Sequence, residues 1–249
     1  MSTVTAGPVT GRIHSWDLST GVDGPGTRFV LFVNGCPLRC LYCANPDTWH
    51  MRDGRQVTVD EVMAEIDKYR PFISAAGGGV TITGGEPLLQ PAFTGAVLRR
   101  CKGAGLHTAI DTSGLLGARA TDDLLADTDL VLLDIKSFDV TTYRKLTGGS
   151  LTPTLNFATR LDRLRTRIWI RYVLVPGWTD DPESVDGLAS FLGGLGSVER
   201  VDILPFHKLG AAKYDALGLP FPLRDTPVPD AALVNRVRGQ FHEHGLTVH

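Results

Sequence analysis

Cys36-Pro37-Leu38-Arg39-Cys40-Leu41-Tyr42-Cys43 places three of the chain's 4 cysteines on one short stretch, spaced C-x3-C-x2-C. Three thiolates on one loop can hold three corners of a cubane iron–sulfur cluster. Such clusters are normally held by four Cys thiolates. A missing fourth ligand leaves one iron open, and an open iron points to chemistry rather than plain electron storage. Other readings compete. A disulfide framework needs an oxidising compartment and a denser cysteine pattern than 4 in 249 residues. A structural zinc site needs a fourth ligand, which His50 or His14 could supply, though zinc knuckles usually come as paired CxxC. A thioredoxin-type pair at Cys40 and Cys43 leaves Cys36 unexplained. Cys101, far along the chain in a helical pattern, reads as a small apolar packing residue.

Outward from this loop the composition is that of a globular protein. Hydrophobic residues make up 43% and charged residues 21%, and the length suffices for one well-buried α/β domain. A net charge of −2 gives no electrostatic case for nucleic acid or an anionic membrane. No apolar run reaches the length of a membrane span. Residues 1–10 lack the basic start and apolar core of a signal peptide and read as a loose segment ahead of a single domain over 11–249. Unpaired thiols favour a reducing cytoplasm.

Apolar strand-like runs at 28–33, 80–83, 107–111, 130–134, 168–173 and 200–204 alternate with helical patterns. The helices fall near 59–69, 91–104, 121–126, 154–164, 182–192 and 230–244. This alternation predicts parallel strands with right-handed crossovers. Six units predict an incomplete (β/α)6 barrel, an α/β fold, with functional residues at the C-terminal ends of the strands. The stretch 208–229, rich in Gly and Pro, reads as a long loop, and long loops in compact domains are often functional. The chemistry-bearing motifs follow the strands: the cysteine loop the first, Gly84-Gly85-Glu86-Pro87 the second, Asp111-Thr112 the third, Asp134-Ile135-Lys136 the fourth and His207 the sixth.

C-x3-C-x2-C with an aromatic residue before its last cysteine resembles the signature of the radical S-adenosylmethionine (SAM) enzymes. Further stretches occur in order: Gly11-Arg-Ile-His-Ser15, Val22-Asp-Gly-Pro-Gly26, Gly84-Gly-Glu-Pro87, Asp111-Thr-Ser-Gly114, Asp134-Ile-Lys136, Trp169-Ile-Arg-Tyr172, Val175-Pro-Gly-Trp178 and Leu204-Pro-Phe-His207. Together they resemble the family of pyruvate formate-lyase activating enzymes, which are glycyl-radical activases, from about Gly11 to the C-terminus. The resemblance implies a [4Fe–4S] cluster on Cys36, Cys40 and Cys43, with SAM on the open iron. Reductive cleavage then gives a 5′-deoxyadenosyl radical that takes hydrogen from a glycine of the partner. It implies a glycyl-radical enzyme of the pyruvate formate-lyase type as that partner and a place in anaerobic glucose metabolism. Flavodoxin or ferredoxin would donate the electron, because only one cluster motif is visible, and the chain would act as a monomer. Activases for other glycyl-radical enzymes often carry a further cysteine-rich insert, which this sequence lacks.

Tyr42 and Ala44 flank the last cysteine on the cofactor side. Ala44 stands where relatives often carry His, so a backbone contact is what is implied there. Gly permits close backbone approach to a ligand, and Gly85 with Glu86 would form the edge that holds the SAM amine; the competing reading is a tight turn. Asp134 and Lys136 flank Ile135 and share a face if the strand continues, holding the SAM carboxylate, the ribose or a peptide; the competing reading is a surface salt bridge. Arg171 interrupts an apolar strand and needs an anionic partner, either the SAM carboxylate or an acid such as Glu86. His207 is placed near the adenosyl group by the resemblance alone. Asp111, Thr112 and Asp134 with the Leu132 carbonyl would bind a monovalent cation, sodium or potassium, with Asp23 nearby; the plainer reading of such Asp residues is helix capping. A radical SAM enzyme acting on a small molecule and a non-catalytic iron–sulfur carrier are the remaining alternatives.

Overall fold

The computed structural model describes residues 7–249. Residues 1–6 of the expected loose segment lie outside the described residues, and Thr10 already opens a strand. β1 (Thr10–Thr20) runs antiparallel to its neighbours β2 (Thr27–Val33) and β3 (Arg55–Thr58). After β3 come α1 (Val59–Ala75), β4 (Gly79–Gly84), α2 (Pro91–Gly103), β5 (His107–Thr112), α3 (Asp122–Ala126) and β6 (Leu130–Asp134). Then follow α4 (Val140–Thr147), α5 (Leu151–Arg163), β7 (Arg167–Leu174), α6 (Pro182–Gly193), β8 (Val198–Pro205), α7 (Ala211–Ala216) and α8 (Ala231–Glu243). The sheet order is β3-β1-β2-β4-β5-β6-β7-β8. β2 and β4 to β8 pair in parallel as the six expected units. β3 and β8 do not pair with each other, so the barrel is incomplete.

Local chemistry sets the helix starts. Thr58 and Glu61 form a capping box at α1: the Thr58 hydroxyl accepts from Glu61 N–H at 3.1 Å and the Glu61 carboxylate accepts from Thr58 N–H at 2.6 Å. Asp139, Asp181 and Asp230 accept from backbone N–H groups at the starts of α4, α6 and α8. α1 runs beyond the expected end at residue 69, through Pro71 to Ala75, because Ile73 is completely buried past the proline. β1 escaped the sequence reading because a bulge between Ile13 and Ser15 breaks its alternation. Gly11 and Ile13 are buried before the bulge, while Trp16 and Leu18 pack on the core after it. α7 is a short helix inside the stretch expected to be loop.

The two faces of the parallel strands carry different chemistry, as alternation requires. Ile82, Ile110, Val131, Leu133 and Ile170 pack in the main core with the helices. Ala109, Leu130, Leu132 and Trp169 form a separate buried cluster on the other face. Two residues beyond Ala109, Leu132 and Trp169 stand Asp111, Asp134 and Arg171, which lifts a charged group to the C-terminal ends of the strands.

Near the opposite strand ends, Arg28 is fully buried. Its guanidinium donates to the Thr81 hydroxyl at 3.0 Å, the Val80 carbonyl at 2.6 Å and the His107 carbonyl at 3.3 Å, and meets His107 Nδ1 at 3.1 Å. Burial first, then the Arg28 charge, depresses the His107 pKa from 6.5 to about 4, so the folded state holds a neutral ring. Stability tied to this ring is therefore full above pH 6.5 and is lost as pH falls through about 4. We predict that His107→Gln, which keeps an acceptor for Arg28 without the titration, flattens the melting temperature between pH 7 and 4. An acid slope identical to that of the wild type would exclude His107 as its source.

Candidate active site

The cysteine loop leaves β2 and is fixed by its own backbone. Gly35 adopts φ +94° and donates to the Thr48 carbonyl at 2.7 Å. Cys36 N–H donates to the Trp49 carbonyl at 3.0 Å, and Cys43 N–H to the Cys40 carbonyl at 3.1 Å. Arg39 and Leu41 donate to the carbonyls of Thr147 and Leu146 at the end of α4, each at 2.9 Å. Cys36, Cys40 and Cys43 are free thiols, and all three line one cavity of about 240 Å³. Burial pushes the Cys36 and Cys40 thiols up to about 12 and raises Cys43 as well. A thiol of this kind gives up its proton when a metal takes its place.

Among the described residues, no three of His, Cys, Asp and Glu converge as a ligand group for one metal ion. A cubane takes each thiolate at a different iron, so three cysteines on one loop can serve it without meeting at a single ion. His14, one candidate fourth zinc ligand, turns instead to Asp47 at 3.2 Å.

Gly84 and Gly85 bring the end of β4 against this loop. A Cβ on Gly85 would lie 2.3 Å from the Gly35 carbonyl oxygen, and Gly84 has φ +110°. Gly85 N–H donates to Val33 and Glu86 N–H to Gly35, each at 2.8 Å. Gly85 therefore has only its carbonyl to offer a ligand. Glu86 departs from the expected role. It is 1% exposed and does not line the cavity. Its carboxylate accepts from the Thr112 hydroxyl at 2.6 Å, the Ser113 hydroxyl at 2.6 Å, Ser113 N–H at 3.0 Å and Leu88 N–H at 3.1 Å. Both oxygens are satisfied inside the protein, so Glu86 ties β4 to β5 rather than reaching for a ligand.

Arg171 finds its anions elsewhere than Glu86. Its guanidinium lies 3.2 Å from Asp111 Oδ2 and 3.4 Å from Asp23 Oδ1. The Thr83 hydroxyl also donates to Asp111 Oδ2, at 2.8 Å. Asp111 Oδ1 is buried without a partner. Burial raises the Asp111 pKa and Arg171 opposes it. Lys136 Nζ pairs with Asp134 Oδ2 at 2.7 Å, with side chains 11% and 19% exposed, so this is not the surface salt bridge of the competing reading. Lys136 also stands 5.8 Å from the Tyr42 ring centroid. The strand ends at Asp134, yet both charged residues line the cavity. Ala44, Thr112, Arg171 and exposed His207 line it as well. Ile135 and Leu132 do not line it: their side chains are fully buried in apolar clusters, leaving only backbone groups for any contact. The sequence reading missed Thr83, Asn45 and Trp49 as wall residues. Their types carry no ligand signal, and only the folded loop brings them in.

A half-closed barrel with a three-cysteine loop over its mouth is matched by known proteins. The sequence model of the Radical SAM superfamily covers residues 30–189. The pyruvate formate-lyase 1-activating enzyme of Escherichia coli is 44% identical over 242 residues, spanning 96% of this chain and 98% of that protein. The pyruvate formate-lyase-activating enzyme of Staphylococcus epidermidis is 47% identical over 227 residues, spanning 88% and 90%. Among solved structures, a domain of pyruvate-formate lyase-activating enzyme from Bacteroides vulgatus superposes with a TM-score of 0.59 at 27% identity, covering 69% of this chain and 98% of that one. A radical SAM methyltransferase from Sphaerobacter thermophilus, at 18% identity and a TM-score of 0.60, covers 97% of this chain and 76% of that one and shares the fold. The chain belongs to the radical SAM superfamily and, within it, to the family of pyruvate formate-lyase activating enzymes. A [4Fe–4S] cluster and SAM are the cofactors that this membership implies.

The Glu86 contacts give a direct check. Glu86→Ala strands buried hydroxyl and N–H donors at Thr112, Ser113 and Leu88. We expect a loss on the order of 3 kcal/mol in unfolding free energy. Urea unfolding measures it as a lower midpoint at unchanged slope. An unchanged midpoint would show that the carboxylate holds nothing together.

Proposed function

We propose that this chain reductively cleaves SAM and installs a glycyl radical on a pyruvate formate-lyase-type enzyme. The observation that carries the reading is the union of three free, half-buried cysteines with a charged rim and a glycine edge around one cavity. A plain electron carrier has no use for such a cavity beside its metal. The near full-length relatedness to activating enzymes of pyruvate formate-lyase supports that protein as the partner.

Cys36, Cys40 and Cys43 would each hold one iron, leaving the fourth to the amino and carboxylate groups of SAM. A cluster held there would supply the one electron that reductive cleavage of SAM to methionine and a 5′-deoxyadenosyl radical requires. The protein's own residues bind, orient and exclude water. The Gly85 carbonyl is available to the SAM ammonium. Lys136, held by Asp134, offers a cation to the carboxylate or ribose. Tyr42, Ala44 and His207 wall the side assigned to the adenosyl group. Arg171 is already engaged by Asp23 and Asp111, so its role is to fix those carboxylates. The unpartnered Asp111 Oδ1 supports a monovalent cation, sodium or potassium, with Asp134, Thr112 and the Leu132 carbonyl. The electron would come from flavodoxin or ferredoxin. Free cysteines suit a reducing cytoplasm. No described helix is long and apolar enough to cross a membrane.

Three experiments test this reading. Anaerobically reconstituted protein should bind about four irons per chain, and Cys36→Ala, Cys40→Ala or Cys43→Ala should abolish both the cluster and 5′-deoxyadenosine formation. With reductant, SAM and pyruvate formate-lyase present, a glycyl-radical doublet should appear by electron paramagnetic resonance. SAM cleavage without that doublet would assign the chain to another partner. A full cluster and undiminished cleavage in any cysteine variant would remove the assignment altogether. Asp111→Asn should lower SAM affinity about tenfold and abolish any difference in rate between sodium, potassium and a bulky organic cation. Equal wild-type rates in all three salts would rule the cation out.

A further inference from the structure

We propose that α7 clamps the cysteine loop from behind and that Lys213 is the positioning residue that fixes its Cys43 corner. The inference rests on the cluster-bearing reading of that loop. After β8 the chain passes His207 and turns into α7, which lies against the loop. A Cβ on Gly210 would sit 2.9 Å from the Cys43 carbonyl oxygen and 3.1 Å from Ala44 Cα, so only glycine lets the two backbones come this close. Lys213 Nζ then donates to Asn45 Oδ1 at 2.8 Å and meets Asp47 Oδ1 and Oδ2 at 3.2 and 3.0 Å. These two acceptors lie in the turn that immediately follows Cys43. Asp47 is held a second time by His14 of β1 at 3.2 Å. The turn is thus gripped between the first strand and the last short helix.

The next residue of the helix props the other end of the loop. Tyr214 is 1% exposed and meets Trp49 edge-on at 5.7 Å between ring centroids. The Trp49 carbonyl accepts the Cys36 N–H, and the Arg39 guanidinium covers the indole at 5.0 Å. Two successive residues of α7 therefore act on both ends of the three-cysteine stretch. The helix is a firm support because Tyr214 belongs to a second small core with Val175, Phe206, Phe221 and Leu223. Lys213 is 39% exposed, and partly exposed ion pairs add little to global stability. Its three contacts on one turn instead define where that turn sits. A cluster held by only three thiolates depends on that placement, since loosening one corner opens it to loss of iron.

The test compares reconstituted wild type, Lys213→Met and Lys213→Arg. Lys213→Met should keep the wild-type melting temperature of the metal-free protein. It should release iron to an excess of chelator about tenfold faster and broaden the resonance signal of the reduced cluster. Lys213→Arg, which can still reach both acceptors, should restore slow release. Asn45→Ala, which removes one acceptor from the other side, should reproduce the Met variant in part. Iron release and signal unchanged in both Lys213→Met and Asn45→Ala would overturn the clamp, as would a faster release matched by a fall in the metal-free melting temperature. A wild type that binds no iron would instead defeat the cluster reading on which the clamp rests.

Discussion

The close backbone seam between the cysteine loop and the end of β4 is the constraint on which the site depends. Gly85 lies so near Gly35 that any side chain would strike its carbonyl oxygen, and two hydrogen bonds cross the seam to Val33 and Gly35. Glu86, one residue on, is thereby carried under the rim, where three donors from Thr112 and Ser113 at the end of β5 and the N–H of Leu88 saturate it. The seam thus joins β2, β4 and β5 into one wall and sets the cysteines above it. Backbone contacts suit this task because they leave side chains free and cost no rotamer entropy.

Charge is the second organising principle. Burying Arg171, Asp111, Asp134 and Lys136 at the strand ends is expensive, and the fold offsets that cost by pairing them. Removing one partner of such a pair destabilises by roughly 3–5 kcal/mol, more than an exposed pair contributes. The arrangement is incomplete in one respect: Asp111 keeps one buried oxygen without a donor. This separates Glu86, which is saturated and structural, from Asp111, which is not.

The six parallel strands were legible because each is a short apolar run followed by a motif, and periodicity and punctuation agreed. The three cysteines were legible from spacing alone. β1 was hidden by its bulge, and α7 by the glycines and prolines around it, where the packing of Tyr214 against Trp49 and Phe221 helps to anchor the helix. Side-chain partners were the least legible feature. Glu86 and Arg171 sit 85 residues apart in sequence and looked complementary, yet the register of β5 delivers Ser113 to one and Asp111 to the other. Lys213 carried no signal at all, because a lone lysine gains meaning only from the acceptors that the fold sets before it.

Magnetic resonance of the reduced, reconstituted protein with isotopically labelled SAM tests the central claim most directly. With nitrogen-15 in the amino group and oxygen-17 in the carboxylate, the account predicts hyperfine coupling of both nuclei to the cluster. That coupling should be present in the wild type and in Cys101→Ala, whose thiol is buried against Met63 away from the cavity. Strong cluster signal with no coupling from either label would mean that SAM does not bind the open iron, and would contradict the account.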